Sequence, residues 1–318
     1  MADNTLLEVR NLKKYFNTKS GLLYAVDDVN FEIEKGKTLG LVGESGCGKS
    51  TTGRAILRLH EPTAGEVIFK GEDIVKYSNK QMKNLRKQMQ IVFQDPYSSL
   101  NPRMDVKSLI GDSLKVSGNG ESKKEIEEKV YETMSLVGLE KRLADSYPHE
   151  LDGGRRQRIG IARALILNPE FIVMDEPVSA LDVCVQAQIL NLLQQLQEQM
   201  KLTYLFVSHN LSVVKHVSDD IAVMYLGKIV EIASYRDIFL DPKHPYTKAL
   251  LSAIPIPKAH VDRNRIVLEG DITSPINPPP GCRFASRCWM CKGICREREP
   301  ELRKVGNSMV ACHFAGEE

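Results

Sequence analysis

The stretch "TLGLVGESGCGKST", residues 38–51, constrains the fold more than any other part of the chain. Its apolar first half is too short for a helix and reads as a buried strand, and the pattern after its glycines is helical. The glycines and the lysine fit G-x-x-x-x-G-K-[ST]. Glycine lets backbone N–H groups turn inward, and the start of a helix adds partial positive charge. A strand, loop and helix of this composition therefore cradle phosphate. Lys49 can reach the β and γ phosphates and Ser50 can place its hydroxyl on Mg²⁺. Gly43, Ser45, Gly46, Cys47, Gly48 and Thr51 complete the candidate cradle.

Strand patterns recur at 6–12, 23–33, 65–71, 90–93, 171–174, 203–208 and near 221–231. Helical patterns between them, including 156–167 and 183–200, imply a parallel sheet covered on both faces. Residues 105–145 change character. Ile126, Val130, Met134 and Val137 recur at helical spacing beneath a polar face, which marks a helical insert. After about residue 235 the chain changes again, to one short amphipathic helix in "HPYTKALLSAIP", a proline-rich linker "SPINPPPGC" and a cysteine-dense tail. The expected organisation is a nucleotide-binding domain over 1–235, with a helical subdomain at about 96–157, and a C-terminal extension over 236–318.

The net charge of +2 argues against a broad basic surface for nucleic acid. No apolar run approaches the roughly 20 residues of a membrane span, and "MADNTLLEVR" lacks the layout of a signal peptide. A cytosolic chain is expected, with any membrane role supplied by a partner. In that compartment the seven cysteines read as metal or redox ligands before disulfides.

A phosphate loop needs a second acidic element, and "FIVMDEP", residues 171–177, supplies it at the end of a buried strand. Asp175 can hold the metal and Glu176 can polarise a water for in-line attack on the γ-phosphate. With these residues placed, the chain resembles the nucleotide-binding subunits of ABC transporters. The resemblance implies a P-loop NTPase (RecA-like) core of α/β class with a parallel sheet, a small antiparallel β subdomain and the helical insert. It also assigns residues. Phe16 would stack on adenine, with Tyr15 the alternative. Gln94 in "FQDP" would sense the metal and the attacking water. "LDGGRRQ", carrying Asp152, Gly153 and Gly154, is the signature loop. Asp182 in "SALD" lies in the loop that crosses between subunits, and His209 would switch on the γ-phosphate. Two such domains would face head to tail, each ATP lying between the P-loop of one and the signature loop of the other.

The signature loop departs from its relatives, which usually have serine where this chain has Asp152 and glutamine where it has Arg155. An ionised aspartate accepts hydrogen bonds but cannot donate one to phosphate. One reading makes Asp152 simply the N-cap of the next helix, a task aspartate and serine perform about equally, with Arg155 offsetting its charge. The other makes this signature weaken the partner's ATP site.

The tail cysteines are 282, 288, 291, 295 and 312. Together with "HPY", residues 244–246, they make the tail resemble the C-terminal extension of oligopeptide and dipeptide importer ATPases. That resemblance implies a 4Fe-4S cluster on Cys282, Cys288, Cys295 and Cys312, with zinc or plain thiols as alternatives. Cys291 is extra and can replace one of the four. His313 reads as a surface residue, and Cys47 and Cys184 as packing thiols. The implied function is ATP hydrolysis powering peptide import at the cytoplasmic face of the membrane. The implied partners are a related but non-identical ATPase, two permease subunits and an extracytoplasmic peptide-binding protein. An importer of another small solute such as nickel, and a soluble ABC ATPase, are the alternatives.

Overall fold

The computed structural model describes residues 4–118, 120–254, 265–270 and 274–317, so the end of the "HPYTKALLSAIP" stretch lies outside the described residues. The chain divides into two compact units. One comprises Thr5–Ile33, Thr38–Val75 and Ser208–Glu318; the other comprises Met1–Asn4, Glu34–Lys37 and Lys76–Val207.

In the first unit, strands Gly21–Glu34, Thr5–Thr18, Ala64–Phe69 and Glu72–Asp73 form a sheet in that order. Val29, Phe31 and Ile33 are buried while Asp28, Glu32 and Glu34 are exposed, the period-two pattern of a strand with one wet face. Thr5–Thr18 pairs antiparallel with Ala64–Phe69, Leu7 facing Phe69 and Val9 facing Val67. This is the expected small antiparallel subdomain.

The strand Thr38–Val42 is buried at all five positions and pairs in parallel with Asp220–Tyr225, Leu41 facing Ala222. From there the sheet is not parallel. Leu226 and Gly227 both have positive φ, the geometry of a two-residue hairpin turn, and Lys228–Ser234 returns antiparallel. Ser308–Val310 adds antiparallel to Lys228–Ser234, with Met309 opposite Ile232, and Arg303–Val305 closes the run. The parallel sheet expected from the sequence is thus corrected to a mixed one. The cause is a tight turn that leaves no room for a crossover helix.

In the second unit, Met89–Val92, Phe171–Asp175 and Thr203–Ser208 lie in parallel register, Met174 between Val92 and Phe206. The expected insert is helical. Val106–Ser117 packs on Lys123–Leu136 and on Gly153–Leu165. A Ser122–Glu125 capping box starts the helix Lys123–Leu136, which buries Val130 and Met134. Gly111 permits the close crossing, since a Cβ there would stand 3.2 Å from Ile126 and 3.3 Å from Val130. No helix among the described residues is long and apolar enough to cross a membrane.

The helix Pro245–Ser252 belongs to the first unit and begins on buried polar groups. His244 is its N-cap, with Nδ1 accepting from the Tyr246 N–H at 3.1 Å. The Glu231 carboxylate, fully buried, accepts from the N–H groups of Lys243 at 2.8 Å and His244 at 2.9 Å. Burial pushes the His244 pKa down to about 3. The unfolded chain therefore binds a proton at this histidine below about pH 6.5 that the folded chain refuses, and stability falls with acid through that window. We expect His244→Asn, which keeps a capping acceptor, to flatten the decline between pH 6 and 4 by about 1.4 kcal/mol per pH unit. Urea unfolding of both proteins across that range measures it; equal slopes would refute the assignment.

Candidate functional site

The glycine loop lies in the first unit. Gly43 and Gly48 have φ of 157° and 109°. A Cβ on Gly43 would stand 2.1 Å from the Met224 carbonyl oxygen, and one on Gly48 would stand 2.1 Å from that of Ala25. Lys49 is 4% exposed. Its ammonium donates to the carbonyls of Gly43 at 2.8 Å and Glu44 at 2.9 Å. Burial raises the Cys47 pKa, although Lys49 opposes the shift, so Cys47 is the packing thiol its sequence context suggested. Ser45 and Gly46 are exposed; Ser50 and Thr51 are half-buried in the first turn of the helix Lys49–Ile56. No side chain caps that helix at Gly48, and a helix start of this kind suits an anion.

Phe16 is half-buried in the same unit, edge-on to His60 with centroids 5.6 Å apart. Tyr15 is committed elsewhere, its hydroxyl donating to Asp27 at 2.6 Å and its ring 4.4 Å from that of Tyr24. His209 is exposed, between buried Ser208 and Asn210, the N-cap of the helix Leu211–Val217.

The acidic pair lies in the second unit. Asp175 is 1% exposed, at the end of Phe171–Asp175. Glu176 turns out of the strand at φ 48°, a backbone region costly for a glutamate. Its N–H donates to the Val207 carbonyl at 3.0 Å, and its own carbonyl accepts from the Ser179 hydroxyl at 3.1 Å. Those bonds aim the side chain. Gln94 Nε2 donates to Glu176 Oε2 at 3.1 Å, so these two predicted residues do meet.

The signature helix runs Gly153–Leu165, three residues earlier than the hydrophobic pattern suggested. Periodicity begins only where side chains bury, whereas the helix begins at its cap. Asp152 is that cap. One carboxylate oxygen accepts from the Arg155 N–H at 2.8 Å, and the other lies 3.3 Å from the Arg155 guanidinium. Gly153 and Gly154 pack on the segment that carries Asp182, since a Cβ on either would press Leu181 or Val185. Asp182 caps the helix Val183–Met200 by accepting from the Val185 N–H at 3.0 Å. Cys184 is exposed there, which corrects its reading as a packing thiol.

In the tail, Cys282, Cys288, Cys295 and Cys312 line one small pocket, walled by Phe284, Met290, Pro300 and Phe314. Burial pushes the Cys282 thiol up to about 12 and the Cys288 thiol up to about 11, with the neighbouring thiols adding. His313 also lines the pocket, with its Nε2 2.9 Å from the Arg298 carbonyl, rather than standing free on the surface. Among the described residues, no group of three or more His, Cys, Asp or Glu is placed to hold a metal ion.

Residues 26–179 match the ABC transporter family, and residues 230–295 match the family described as oligopeptide/dipeptide transporter, C-terminal region. The oligopeptide transport ATP-binding protein AppF of Bacillus subtilis is 52% identical over 98% of this chain and 97% of its own length. The chain belongs to the oligopeptide/dipeptide family of ABC transporter ATPases. The oligopeptide transport ATP-binding protein OppF of Haemophilus influenzae is 50% identical to this ABC ATPase over 96% of the chain and 93% of that protein. Among solved structures, the dimeric post-hydrolysis state of the ATP-binding cassette MJ0796 bound to ADP and Pi matches with a TM-score of 0.66. It is 28% identical and covers 72% of this chain and 99% of that one.

Sequence reasoning passed over Glu44 and Arg287 of this ABC ATPase, and took Tyr246 only as part of the "HPY" motif. Glu44 fills an x position of the loop motif, where the pattern is silent. Its partners lie some 200 residues away, so only the folded chain reveals them. As a test of the cap, Asp152→Ala should cost about 1 kcal/mol and Asp152→Ser only a few tenths. Urea midpoints at constant slope measure both; equal losses would refute the capping role.

Proposed function

We propose that this chain is the ATP-hydrolysing subunit of an importer of oligopeptides or dipeptides. The observation that carries the reading is the Glu176 carboxylate, set directly after buried Asp175 and held 3.1 Å from Gln94 Nε2. In this reading the nucleotide-binding domain is residues 1–235, with the helical subdomain at about 96–157, and the extension is 236–318. Amides of the 43–51 loop other than those of Glu44 and Cys47, with the Lys49 charge, hold the β and γ phosphates, and Phe16 stacks on adenine. Glu176 polarises the attacking water and takes up its proton, Gln94 orients that water, and His209 contacts the γ-phosphate. Ser50, Asp175 and Gln94 offer the oxygen donors that Mg²⁺ prefers, and that ion would neutralise phosphate charge.

The names of AppF and OppF support peptide transport, and the dimeric cassette bound to ADP and Pi supports a paired ATPase. The partners are then a related ATPase, two permeases and an extracytoplasmic peptide-binding protein, with this chain on the cytoplasmic face. Asp152, Gly153 and Gly154 would close the partner's ATP, and Asp182 would line the crossing between subunits. At an effective dielectric of 20, two unit charges about 4 Å apart repel by about 4 kcal/mol. The Arg155 guanidinium, 3.3 Å from the Asp152 carboxylate, opposes that repulsion, but it cannot restore the hydroxyl donor that serine would give. The partner's site is then the weaker one, and this chain's own P-loop does most of the turnover.

Glu176→Gln in this chain alone, within the assembled transporter, tests that assignment. ATP turnover should fall by at least about 100-fold, the scale of a lost general base. Retention of most activity would place the hydrolysis at the partner's loop and leave Asp152 a helix cap.

For the tail we infer a 4Fe-4S cluster on Cys282, Cys288, Cys295 and Cys312, zinc being the alternative. In its support, these four thiols line one apolar pocket and Cys291 does not. Among the described residues no group of three or more is placed to hold a metal ion, so the support is the shared pocket alone. When bound, the cluster would clip a tail too small for its own core. The chain purified without air should contain iron and acid-labile sulfide, lost in Cys282→Ser; zinc alone, or no metal, would refute the cluster.

A further inference from the structure

Glu44 is the second residue of the glycine loop, and every polar group it carries is engaged. Its carbonyl accepts from the Lys49 ammonium at 2.9 Å and from the Cys47 N–H at 3.3 Å. Its own N–H donates to the Tyr246 hydroxyl at 3.0 Å. Its carboxylate accepts from Arg287 Nη1 at 2.9 Å through one oxygen and at 3.2 Å through the other. Lys49 belongs to the loop, Tyr246 to the helix Pro245–Ser252, and Arg287 to the cysteine tail.

Each of the two distant partners is rigidly mounted. Tyr246 is fully buried. Its ring meets Tyr225 and Phe284 at centroid separations of 4.7 and 5.4 Å, and Phe284 itself is 1% exposed. Arg287 ends the short turn Ala285–Arg287, its N–H donating to the Phe284 carbonyl at 3.0 Å. Its side chain is about 10% exposed. Burial works against its charge, but Glu44 and Tyr225 outweigh burial and raise its pKa. A half-buried carboxylate facing a buried guanidinium is a stronger tie than a surface ion pair. The Cys288 of the thiol pocket follows Arg287 directly, and the Cys282 N–H, donating to the Cys295 carbonyl at 2.7 Å, closes the other end of the same segment.

We propose that Tyr246 and Arg287 are positioning residues of the nucleotide site: through Glu44 they hold the first turn of the glycine loop, so that ATP affinity depends on the C-terminal extension. Neither touches nucleotide in this scheme. They fix the N–H, the carboxylate and, through these, the carbonyl to which Lys49 is tied. The dependence runs both ways, because sites coupled through one element shift each other by the same factor. Nucleotide bound at the loop tightens residues 282–288.

The proposal rests on residues 43–51 being the ATP site, and the test separates the two. The full-length chain is titrated with Mg-ATP, and turnover is measured in the assembled transporter, for wild type, Arg287→Ala, Arg287→Lys, Glu44→Gln, Tyr246→Phe and the double variant Glu44→Gln/Arg287→Ala. Arg287→Ala and Glu44→Gln should each weaken ATP binding about tenfold, raising KM while kcat changes less than about twofold. The double variant should be no worse than about tenfold, because both changes remove one interaction. Arg287→Lys should recover part of the loss. Amide exchange at 282–288 should slow with ATP in wild type and not in Glu44→Gln. Affinities within about twofold of wild type, or single effects that multiply to about a hundredfold, would overturn the proposal. If Arg287→Ala fails to fold, Tyr246→Phe and Glu44→Gln carry the same readings. A wild-type chain that binds no ATP would overturn the nucleotide site itself.

Discussion

Two carbonyl oxygens set the shape of the nucleotide loop. Those of Met224 and Ala25 stand where a side chain on Gly43 or Gly48 would have to be. Only glycine passes there, and only glycine turns readily through the φ values that follow. The loop is therefore shaped by the strands packed around it more than by its own side chains. Gly227 adds to the enclosure, donating its N–H to the Cys47 carbonyl at 2.8 Å. Inside that ring Lys49 has few other places to go. A buried ammonium needs oxygen partners, and the carbonyls of its own loop are the ones within reach.

The same rule, that buried charge must be partnered, governs the attachment of the tail. The segment around 282–300 buries Phe284 against Tyr225 and Tyr246. Polar ties add to that contact. Asp27 accepts from Arg283 at 2.7 Å and lies 3.0 Å from Lys228, which also pairs with Glu299. Burial opposes the Asp27 charge, yet the Tyr15 hydroxyl and the two cations outweigh it and hold the carboxyl below the usual range. With Arg287 on Glu44, two tail arginines thus anchor on the nucleotide-binding framework. Residues 274–277 add backbone bonds to Gly21–Glu34, the Tyr24 N–H reaching the Pro275 carbonyl at 3.0 Å.

Local chemistry was legible in the sequence wherever a residue acts through its neighbours in the chain. The strand before Gly43, the helix stripe at Ile126, Val130 and Met134, and the cap at Asp152 follow from spacing and hydrogen-bonding capacity alone. The antiparallel return at 228–234 was not legible, because an apolar run reads the same in either direction and Leu226 is an unusual choice for a left-handed turn residue. Cys184 misled because cysteine is usually buried, and the outward face of a first helical turn gives no warning. Glu44 is the plainest omission. The loop motif describes what phosphate needs, whereas Glu44 serves the rest of the protein, and its partners are set by topology.

The first unit is assembled from three separate stretches of chain, with residues 76–207 interposed between the second and the third. A chain emerging from the ribosome makes the glycine loop early but cannot pair Thr38–Val42 with Asp220–Tyr225 until most of the polypeptide exists. Such distant pairings carry a large loop-closure cost before they return any stability, and they slow folding. The interposed stretch has a distant pairing of its own, Met89–Val92 with Phe171–Asp175, but that pairing is complete before Asp220–Tyr225 is made. Folding during synthesis would then be ordered against the sequence. The unit begun first is finished last, and the glycine loop lacks its enclosure until the strands and tail around it arrive.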